Sequence, residues 1–286
     1  MNLDNLEIQQ LNRNDLNILI DWASKEGWNP GKNDAEVFWN TDPAGFYGFF
    51  YEGNLIAAGA VISYSNEFGF MGLFIVKSEF RNSGIGRKLW YARRNILIQR
   101  LQKNASIGMD GVVAMQPFYK KGGFTKAFRE ERYEFVGREF PLSDQISTID
   151  RIDFEKIVQY DISFFGCKRT QFLKGWLFMP ESNAIQYKKN NEIVGYALLR
   201  AAERGYKIGP LFANTAAIAE ELFEYCLSLV PNQPVFLDIP TTNEEAVSLV
   251  KRYTGQYVFE CARMYHGTVP NSNVNSIFGI TTFELG

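Results

Sequence analysis

The sequence predicts an α/β (α+β) protein that consists of two similar domains in tandem. The chain has 286 residues and a hydrophobic content of 46%, which is enough for two cores of ordinary size. Strand and helix patterns alternate along the first half, and the second half repeats part of that outline. Two related units of similar length are therefore expected.

The first half begins with one strand pattern and two helix patterns. Residues 6–11 alternate apolar and polar side chains, as a half-buried strand does. Asn14 or Asp15 can cap the first helix, and a second helix begins at Asp34 and ends before Pro43. A strand followed by two helices is the predicted start of the domain.

Further strands and helices complete this half. Apolar runs predict strands, and apolar residues at helical spacing predict helices. The strands are expected at 46–51, 55–64, 68–76 and 106–114, and the helices from 85 onwards and at 116–121. Few core residues occur between 137 and 148, so we predict domains at residues 1–137 and 151–286, joined by a linker at 138–150.

Two pairs of residues indicate the internal repeat. In the first half, Asn54 precedes Gly72, and an apolar run follows the glycine. In the second half, Asn191 precedes Gly209 at the same spacing, and an apolar run follows again. The second domain is therefore predicted to repeat the strand pattern of the first.

A turn that contains Gly84 and Gly86 joins the apolar run 72–76 to a helix. Backbone N–H groups at a helix N-terminus have no partner within the helix, and glycine lets a phosphate approach them. A dinucleotide fingerprint does not fit because Leu89 stands where a third glycine is needed, and a P-loop does not fit because Arg87 follows Gly86. The turn predicts an anion site of another kind.

This turn resembles the pyrophosphate loop of the GNAT acyltransferases, Arg/Gln-x-x-Gly-x-Gly/Ala. The resemblance implies acetyl-CoA as a co-substrate and a preceding strand that pairs with its pantetheine arm. It also implies that each domain is a mixed, mostly antiparallel sheet flanked by helices. The positions expected to bind the coenzyme are Phe74, Ile75, Val76, Arg81, Asn82, Ser83, Gly84, Ile85, Gly86 and Arg87.

A second motif downstream strengthens the resemblance. Tyr119 stands four residues before Gly123-Phe124, as in the Tyr-x-x-x-Gly-Phe element that closes a GNAT domain, where the tyrosine lies beside the thioester sulfur. On its own, the pattern also fits an amphipathic helix and an ordinary helix end. The second half has neither motif, because no glycine turn follows Phe212 and Lys251 occupies the place of the tyrosine. The chain thus resembles bacterial tandem GNAT proteins, with a degenerate C-terminal domain on the substrate side.

Acyl transfer to an amine needs a polarised carbonyl, a proton for the leaving thiolate and a base for the ammonium proton. By the resemblance, Tyr119 supplies the proton and also contacts the coenzyme, and a backbone N–H near Ile75 can polarise the carbonyl. Two carboxylates are candidates for the base, Asp110 on the strand before Tyr119 and Glu67 in the turn before the coenzyme strand. A helix cap or a solvated turn also explains each carboxylate.

Three residues are candidates for binding the acceptor. Trp28 and Phe38 can line a lid over the site, although core packing explains both aromatic side chains as well. Asp238 ends the equivalent strand of the second domain and can reach a cleft that both domains share. A structural role in a turn before Pro240 accounts for this aspartate equally well and needs no contact with a substrate.

The composition limits the partners of the protein. A formal net charge of −2 gives no electrostatic case for binding nucleic acid or an anionic membrane. Cys167, Cys226 and Cys261 lie far apart without His or Cys at ligand spacing, so neither a disulfide framework nor a metal site is predicted. Residues 1–6 show no leader pattern, and no run of about 18 apolar residues occurs, so we expect a cytoplasmic protein. The sequence leaves open whether the protein forms a homodimer.

The predicted function is that of an enzyme, an acetyl-CoA-dependent N-acyltransferase. Its acceptor is expected to be an amine of a small molecule or of an amino-acid-like compound. Two alternatives stay open: a noncatalytic acyl-CoA-binding sensor, and a tandem GNAT that transfers another acyl or an aminoacyl group. The net charge argues against a version that binds tRNA.

Overall fold

A computed structural model describes residues 6–286, so the first five residues of the predicted first domain lie outside the described residues. The elements of the first half are β1 Ile8–Gln10, α1 Arg13–Lys25, α2 Asp34–Thr41, β2 Phe46–Tyr51, β3 Asn54–Ser63, β4 Phe68–Val76, α3 Ile85–Arg100, β5 Ser106–Val112, α4 Gln116–Lys121 and β6 Thr125–Val136. Those of the second half are β7 Ile146–Thr148, α5 Phe154–Phe165, α6 Thr170–Leu177, β8 Ser182–Lys189, β9 Glu192–Ala201, β10 Tyr206–Ala213, α7 Ala216–Ser228, β11 Pro234–Pro240, α8 Glu244–Arg252, β12 Gln256–His266 and β13 Ile277–Gly279. The predicted α/β class is confirmed.

Helix α1 begins earlier than the sequence predicted. Its N-cap is Asn12, whose side chain accepts hydrogen bonds from the backbone N–H groups of Asn14 and Asp15. Asp15 in turn accepts a hydrogen bond of 2.9 Å from the backbone N–H of Asn12, which completes a capping box. The predicted caps at Asn14 and Asp15 were therefore wrong, because both residues lie inside the first turn.

All the strands belong to one continuous sheet, in which β13 pairs with β10 and the others follow the order β1-β2-β3-β4-β5-β12-β6-β11-β10-β9-β8-β7. Only the β4–β5 and β10–β11 pairs are parallel, so the sheet is mixed and mostly antiparallel, as expected. Strand β12 comes from the second half of the sequence but lies between β5 and β6 of the first. Strand β6 in turn pairs with β11, so each half contributes a strand to the other.

Strands β4 and β5 separate part of the way along their length. Their pairing runs from Phe68 opposite Ser106 to Met71 opposite Met109, and no pairing continues beyond that point. Leu73 has a positive φ of 48°, and the register of β4 against β3 shifts beside it, as in a β-bulge. From residue 72 onwards β4 therefore diverges from β5 and leaves an opening in the sheet.

The last described residues are buried between the two halves. The hydroxyl of Tyr64 donates a hydrogen bond of 2.8 Å to the carbonyl of Leu285. A Cβ at Gly72 would lie 1.7 Å from the carbonyl oxygen of Glu284, so only glycine lets this segment lie against β4. Residues 283–284 thereby reach the opening between β4 and β5.

Candidate active site

A cavity of about 610 Å³ occupies the opening between β4 and β5. Both halves of the chain line it, because β12 and residues 283–284 contribute walls beside those of the first half. The lining residues are Glu26, Trp28, Met71, Gly72, Leu73, Phe74, Ile75, Val76, Arg81, Asn82, Gly86, Arg87, Trp90, Arg93, Met109, Asp110, Val112, Met115, Phe118, Tyr119, Phe259, Cys261, Phe283 and Glu284. The wall is predominantly apolar, with charged groups at a few points.

One end of the cavity is formed by the glycine turn before α3. Gly84 is the N-cap of the helix and has a φ of 89°, a backbone conformation that glycine adopts without strain. No acidic residue occupies the first turn of α3, so the N–H groups of this helix end meet no nearby negative side chain within the turn. Arg81 donates a hydrogen bond of 2.8 Å from Nε to the carbonyl of Val76 and forms an ion pair with Glu26. This end is suited to a phosphate group.

The structure separates the predicted coenzyme residues into two groups. Eight of them line the cavity: Phe74, Ile75, Val76, Arg81, Asn82, Gly86, Arg87 and Tyr119. Ser83, Gly84 and Ile85 do not line it. The hydroxyl of Ser83 donates a hydrogen bond to the carbonyl of Phe80 at 2.5 Å, and the side chain of Ile85 is fully buried in the core. Ser83 and Ile85 therefore stabilise the turn and do not contact the cavity.

Tyr119 lies at the inner end of the cavity, on the short helix α4. Its ring stacks on Trp90 with the centroids 6.0 Å apart. Burial raises the pKa of Tyr119 to about 12, and the nearby guanidinium of Arg93 acts in the opposite direction. The phenol is therefore protonated at neutral pH and able to donate a proton.

Asp110 also lines the cavity, but its carboxylate is held by a neighbouring strand. Arg263 on β12 donates from Nε and Nη2 to the two carboxylate oxygens at 2.5 and 2.9 Å. The guanidinium therefore occupies both carboxylate oxygens of Asp110 in a bidentate pair. Behind the pair lies the fully buried Glu130, whose pKa burial raises well above its usual range although Arg263 acts to lower it.

Glu67 lies away from the cavity. It occupies the exposed turn before β4, where its carboxylate accepts a hydrogen bond of 3.3 Å from the side chain of Gln102. It is not among the lining residues. The geometry therefore favours the turn interpretation of Glu67 over a role as the base.

The three predicted acceptor residues have different environments. Trp28 lines the cavity, whereas Phe38 is fully buried and stacks on Trp176 with the centroids 6.0 Å apart. Asp238 does not line the cavity either, because Arg132 binds both of its carboxylate oxygens at 2.6 and 2.8 Å within the core. Core packing thus accounts for Phe38 and an internal ion pair for Asp238.

Several lining residues were missed by the sequence analysis. Phe259, Cys261, Phe283 and Glu284 reach the site through the exchanged strand and the buried final segment, and no local pattern signals such long-range placement. Arg93 lies within helix α3, which was predicted from its apolar positions, and a polar residue in such a helix gives no sign of being buried. Burial raises the pKa of the Cys261 thiol well above its usual range, so this sulfur is not a nucleophile at neutral pH.

Metal-binding clusters and membrane-spanning helices are both absent from the part of the chain that the structure describes. No cluster of three or more His, Cys, Asp or Glu side chains that could hold a metal ion occurs among residues 6–286. No helix in that range is long and apolar enough to cross a membrane.

Family models match both halves of the chain. The model for the acetyltransferase (GNAT) family matches residues 13–124, and the model for the acetyltransferase (GNAT) domain matches residues 157–279. Among curated proteins, the holothin acyltransferase of Pseudoalteromonas sp. (strain SANK 73390) is 27% identical over 271 residues, covering 94% of this chain and 90% of the relative.

Solved structures share the fold. A protein from Pyrococcus horikoshii superposes with a TM-score of 0.85 at 22% identity, covering 100% of this chain and 98% of that one. A tandem GNAT protein from the clavulanic acid biosynthesis pathway superposes with a TM-score of 0.62 at 12% identity, covering 93% and 99% of the two chains. The likeness therefore extends over both halves.

Proposed function

Because the chain belongs to the GNAT superfamily as a tandem member, we propose that it transfers an acetyl group from acetyl-CoA to an amine. The acceptor in this proposal is a small molecule or an amino-acid-like compound. The observation that supports it most is the single cavity that joins the glycine turn at one end to Tyr119 at the other. The holothin acyltransferase relative supports acyl transfer by its name.

The coenzyme in this proposal lies along the diverging part of β4. Its pyrophosphate meets the N-terminus of α3 and the side chain of Arg87, and its pantetheine arm passes Phe74 to Val76. The backbone of β4 in this region no longer pairs with β5, so its polar groups are available to an extended ligand. The thioester then lies near Tyr119, at the inner end of the cavity.

The amine attacks the thioester carbon from the side lined by the second half of the chain. A bond forms between nitrogen and carbon, the bond between carbon and sulfur breaks, and the sulfur keeps the electron pair. Tyr119 gives its proton to the thiolate and regains one from solvent. The ammonium proton passes to a base and then to solvent.

We assign the base to Glu284 in preference to Asp110. Both residues line the cavity, but Arg263 occupies both oxygens of Asp110. Among residues 6–286, the carboxylate of Glu284 accepts a side-chain hydrogen bond only from the neutral hydroxyl of Thr282, and no guanidinium occupies it as Arg263 occupies Asp110. The cations of Arg132 and Lys207 interact with Glu284 electrostatically without pairing with it. Its place in the wall contributed by the second half suits a contact with the amine.

The acceptor side of the cavity belongs to the second half in this proposal. That half has no glycine turn in its sequence after β10, where α7 begins with the Thr215 cap instead. We therefore propose that one coenzyme binds per chain. The cytoplasmic location expected from the sequence remains part of the same proposal.

The function is tested by release of free thiol from acetyl-CoA in the presence of a panel of amines and amino acids. Transfer should depend on both substrates, and Glu284→Gln should lower kcat by on the order of 10²-fold, as loss of a positioned base does. Asp110→Asn serves as the comparison and should act mainly on stability. Binding of acetyl-CoA without thiol release for any acceptor would favour the sensor alternative.

A further inference from the structure

Arg93 on α3 is a buried guanidinium that has no counter-ion among residues 6–286. Only 1% of the residue is exposed. Its Nη2 donates to the carbonyls of Ala60 at 3.1 Å and Gly72 at 3.4 Å, whereas Nε and Nη1 have no hydrogen-bond partner. No carboxylate of residues 6–286 forms an ion pair with it. Burial lowers the pKa of Arg93 to about 9, so the side chain remains a cation at neutral pH.

The fold makes room for this side chain. A Cβ at Gly59 on β3 would lie 1.7 Å from Nη1 and 2.4 Å from Cζ of Arg93, so the guanidinium lies directly on the strand backbone. The ring of Phe74 lies 5.1 Å from Cζ and offers a cation–π contact, which offsets only part of the cost of burial. A buried, unpaired cation is expensive, and its natural compensation is a negative charge that arrives with a ligand.

Arg93 lies in the wall of the cavity close enough to Tyr119 for the two side chains to interact. It lines the cavity together with Tyr119, and each of the two side chains influences the ionisation of the other. It stands eight residues after the first residue of α3, about 12 Å along the helix from the phosphate end. Negative charge at this end arises in the reaction when the sulfur leaves the acyl carbon.

We propose that Arg93 is a catalytic residue that stabilises the coenzyme A thiolate while Tyr119 supplies its proton. This inference rests on the proposed function. The bond between carbon and sulfur breaks, the electron pair stays on sulfur, and the guanidinium of Arg93, a cation in the cavity wall with no counter-ion among residues 6–286, stabilises the developing charge electrostatically. The proton of Tyr119 then neutralises the sulfur, and the thiol leaves with free coenzyme A.

Because the sulfur carries negative charge only as the reaction proceeds, we expect Arg93 to affect kcat and not the binding of acetyl-CoA. The thioester is neutral in the ground state, so the cation gains most of its interaction in the transition state. Fixed donors in a site of low dielectric are worth about 10²–10³-fold in kcat for a comparable oxyanion. Arg93→Met should therefore lower kcat by about that factor and change the dissociation constant of acetyl-CoA little.

The decisive measurement follows the thiol of bound coenzyme A and needs no acceptor. Thiolate absorbance in the ultraviolet is titrated with pH in the complexes of wild type, Arg93→Met and Arg93→Lys. The bound thiol should ionise at a pH lower by about one unit or more in wild type than in Arg93→Met, with Arg93→Lys between them. Binding of desulfo-coenzyme A, which lacks the thiol, should be equal in all three.

Arg94→Met is the matched control, since it also removes a guanidinium from α3. Arg94 does not line the cavity and donates to the carbonyl of Gly122 at 2.8 Å. This variant should retain the thiol ionisation of wild type. Circular dichroism and urea unfolding establish that each variant is folded, and Arg93→Met has no buried charge to destabilise it.

Equal thiol ionisation in folded wild type and Arg93→Met would overturn the proposal. So would an Arg93→Met variant that transfers acetyl normally but loses turnover of succinyl-CoA relative to butyryl-CoA, because Arg93 would then bind an acyl carboxylate. Failure of the proposed function has a different signature, namely no thiol release by wild type with any amine. The titration of bound coenzyme A reports on Arg93 in that case as well.

Discussion

Replacing Asp238 by asparagine should destabilise the fold, because it removes the partner of a buried guanidinium. Arg132 and Asp238 pair across β6 and β11, and their side chains are only 1% and 6% exposed. Removing one partner of a buried ion pair typically costs about 3–5 kcal/mol, because the other charge is left without compensation. That loss is a large part of the roughly 5–15 kcal/mol by which domains are usually stable.

The loss should depend on pH in a defined direction. Burial raises the pKa of Asp238, but Arg132 outweighs it and holds the pKa below its usual value. A carboxyl whose pKa is lower in the folded state stabilises the fold above its unfolded pKa, and this contribution disappears as the pH falls through the folded pKa. The difference between Asp238→Asn and wild type should thus be constant from about pH 6 to 8 and shrink below about pH 4.

Urea unfolding measures this effect, with Glu134→Gln as the control. Glu134 lies on the same strand as Arg132, but its pair with Arg204 is 30% and 55% exposed, so its loss should cost at most about 1 kcal/mol. Arg132→Met combined with Asp238→Leu should recover most of the stability, because neither member of the pair is left as an unpaired charge. Equal unfolding midpoints for Asp238→Asn and Glu134→Gln would refute the reasoning. A raised acceptor KM with unchanged stability would instead favour the direct substrate contact expected from the sequence.

Changes along the cavity and behind it should have separable effects. Gly86→Glu places a Cβ 3.3 Å from the side chain of Val76 and a negative charge at the phosphate end of the cavity. Calorimetry should therefore show the affinity for acetyl-CoA reduced by more than about tenfold. Unchanged affinity in a folded variant would remove the coenzyme assignment. Tyr119→Phe should keep coenzyme affinity and lower kcat by on the order of 10²-fold, while a kcat within about twofold of wild type would make the tyrosine structural. Burial raises the folded pKa of Glu130 well above its usual value, so its contribution to stability is fully present below the unfolded pKa and is lost as the pH rises through the folded pKa. Between about pH 5 and 8, the free energy of unfolding of Glu130→Gln, measured with urea, should therefore fall less than that of wild type. Parallel plots of this free energy against pH for the two proteins would contradict the prediction. Titration should find one acetyl-CoA per chain, and two equivalent sites would contradict the proposed division between the halves.

Local patterns predicted the elements that build the coenzyme end of the cavity. The strand at 68–76 and the helices beginning at 85 and covering 116–121 have the predicted bounds. Each prediction depended on neighbouring residues: an apolar run, a glycine turn and a helical spacing. The turn at Gly84 was predictable for the same reason, since a positive φ at a helix N-cap leaves a trace in the sequence itself.

No local sequence pattern indicated that the two halves exchange strands. A strand pattern at 256–266 indicates a strand but not its neighbours, and pairing with β5 joins residues far apart in the chain. Strand β6 carries the buried charges of Glu130 and Arg132, which become intelligible only once Arg263 and Asp238 face them. Arg132 is thus paired with Asp238 across the exchange, whereas Glu130 has Arg263 3.4 Å from its carboxylate but no hydrogen-bond partner among the described residues.

The exchanged strand also links stability to the chemistry of the cavity. Arg263 and Cys261 lie on β12, so the residue that holds Asp110 and a part of the cavity wall both come from the second half. Arg132, held by Asp238, lies within 4.8 and 5.2 Å of the Phe259 and Phe283 rings that line the same wall. The buried pair of Arg132 and Asp238 therefore supports the aromatic rings of this wall, which our proposal assigns to the acceptor. In this arrangement the second half can lack its own glycine turn and still shape the site of the first.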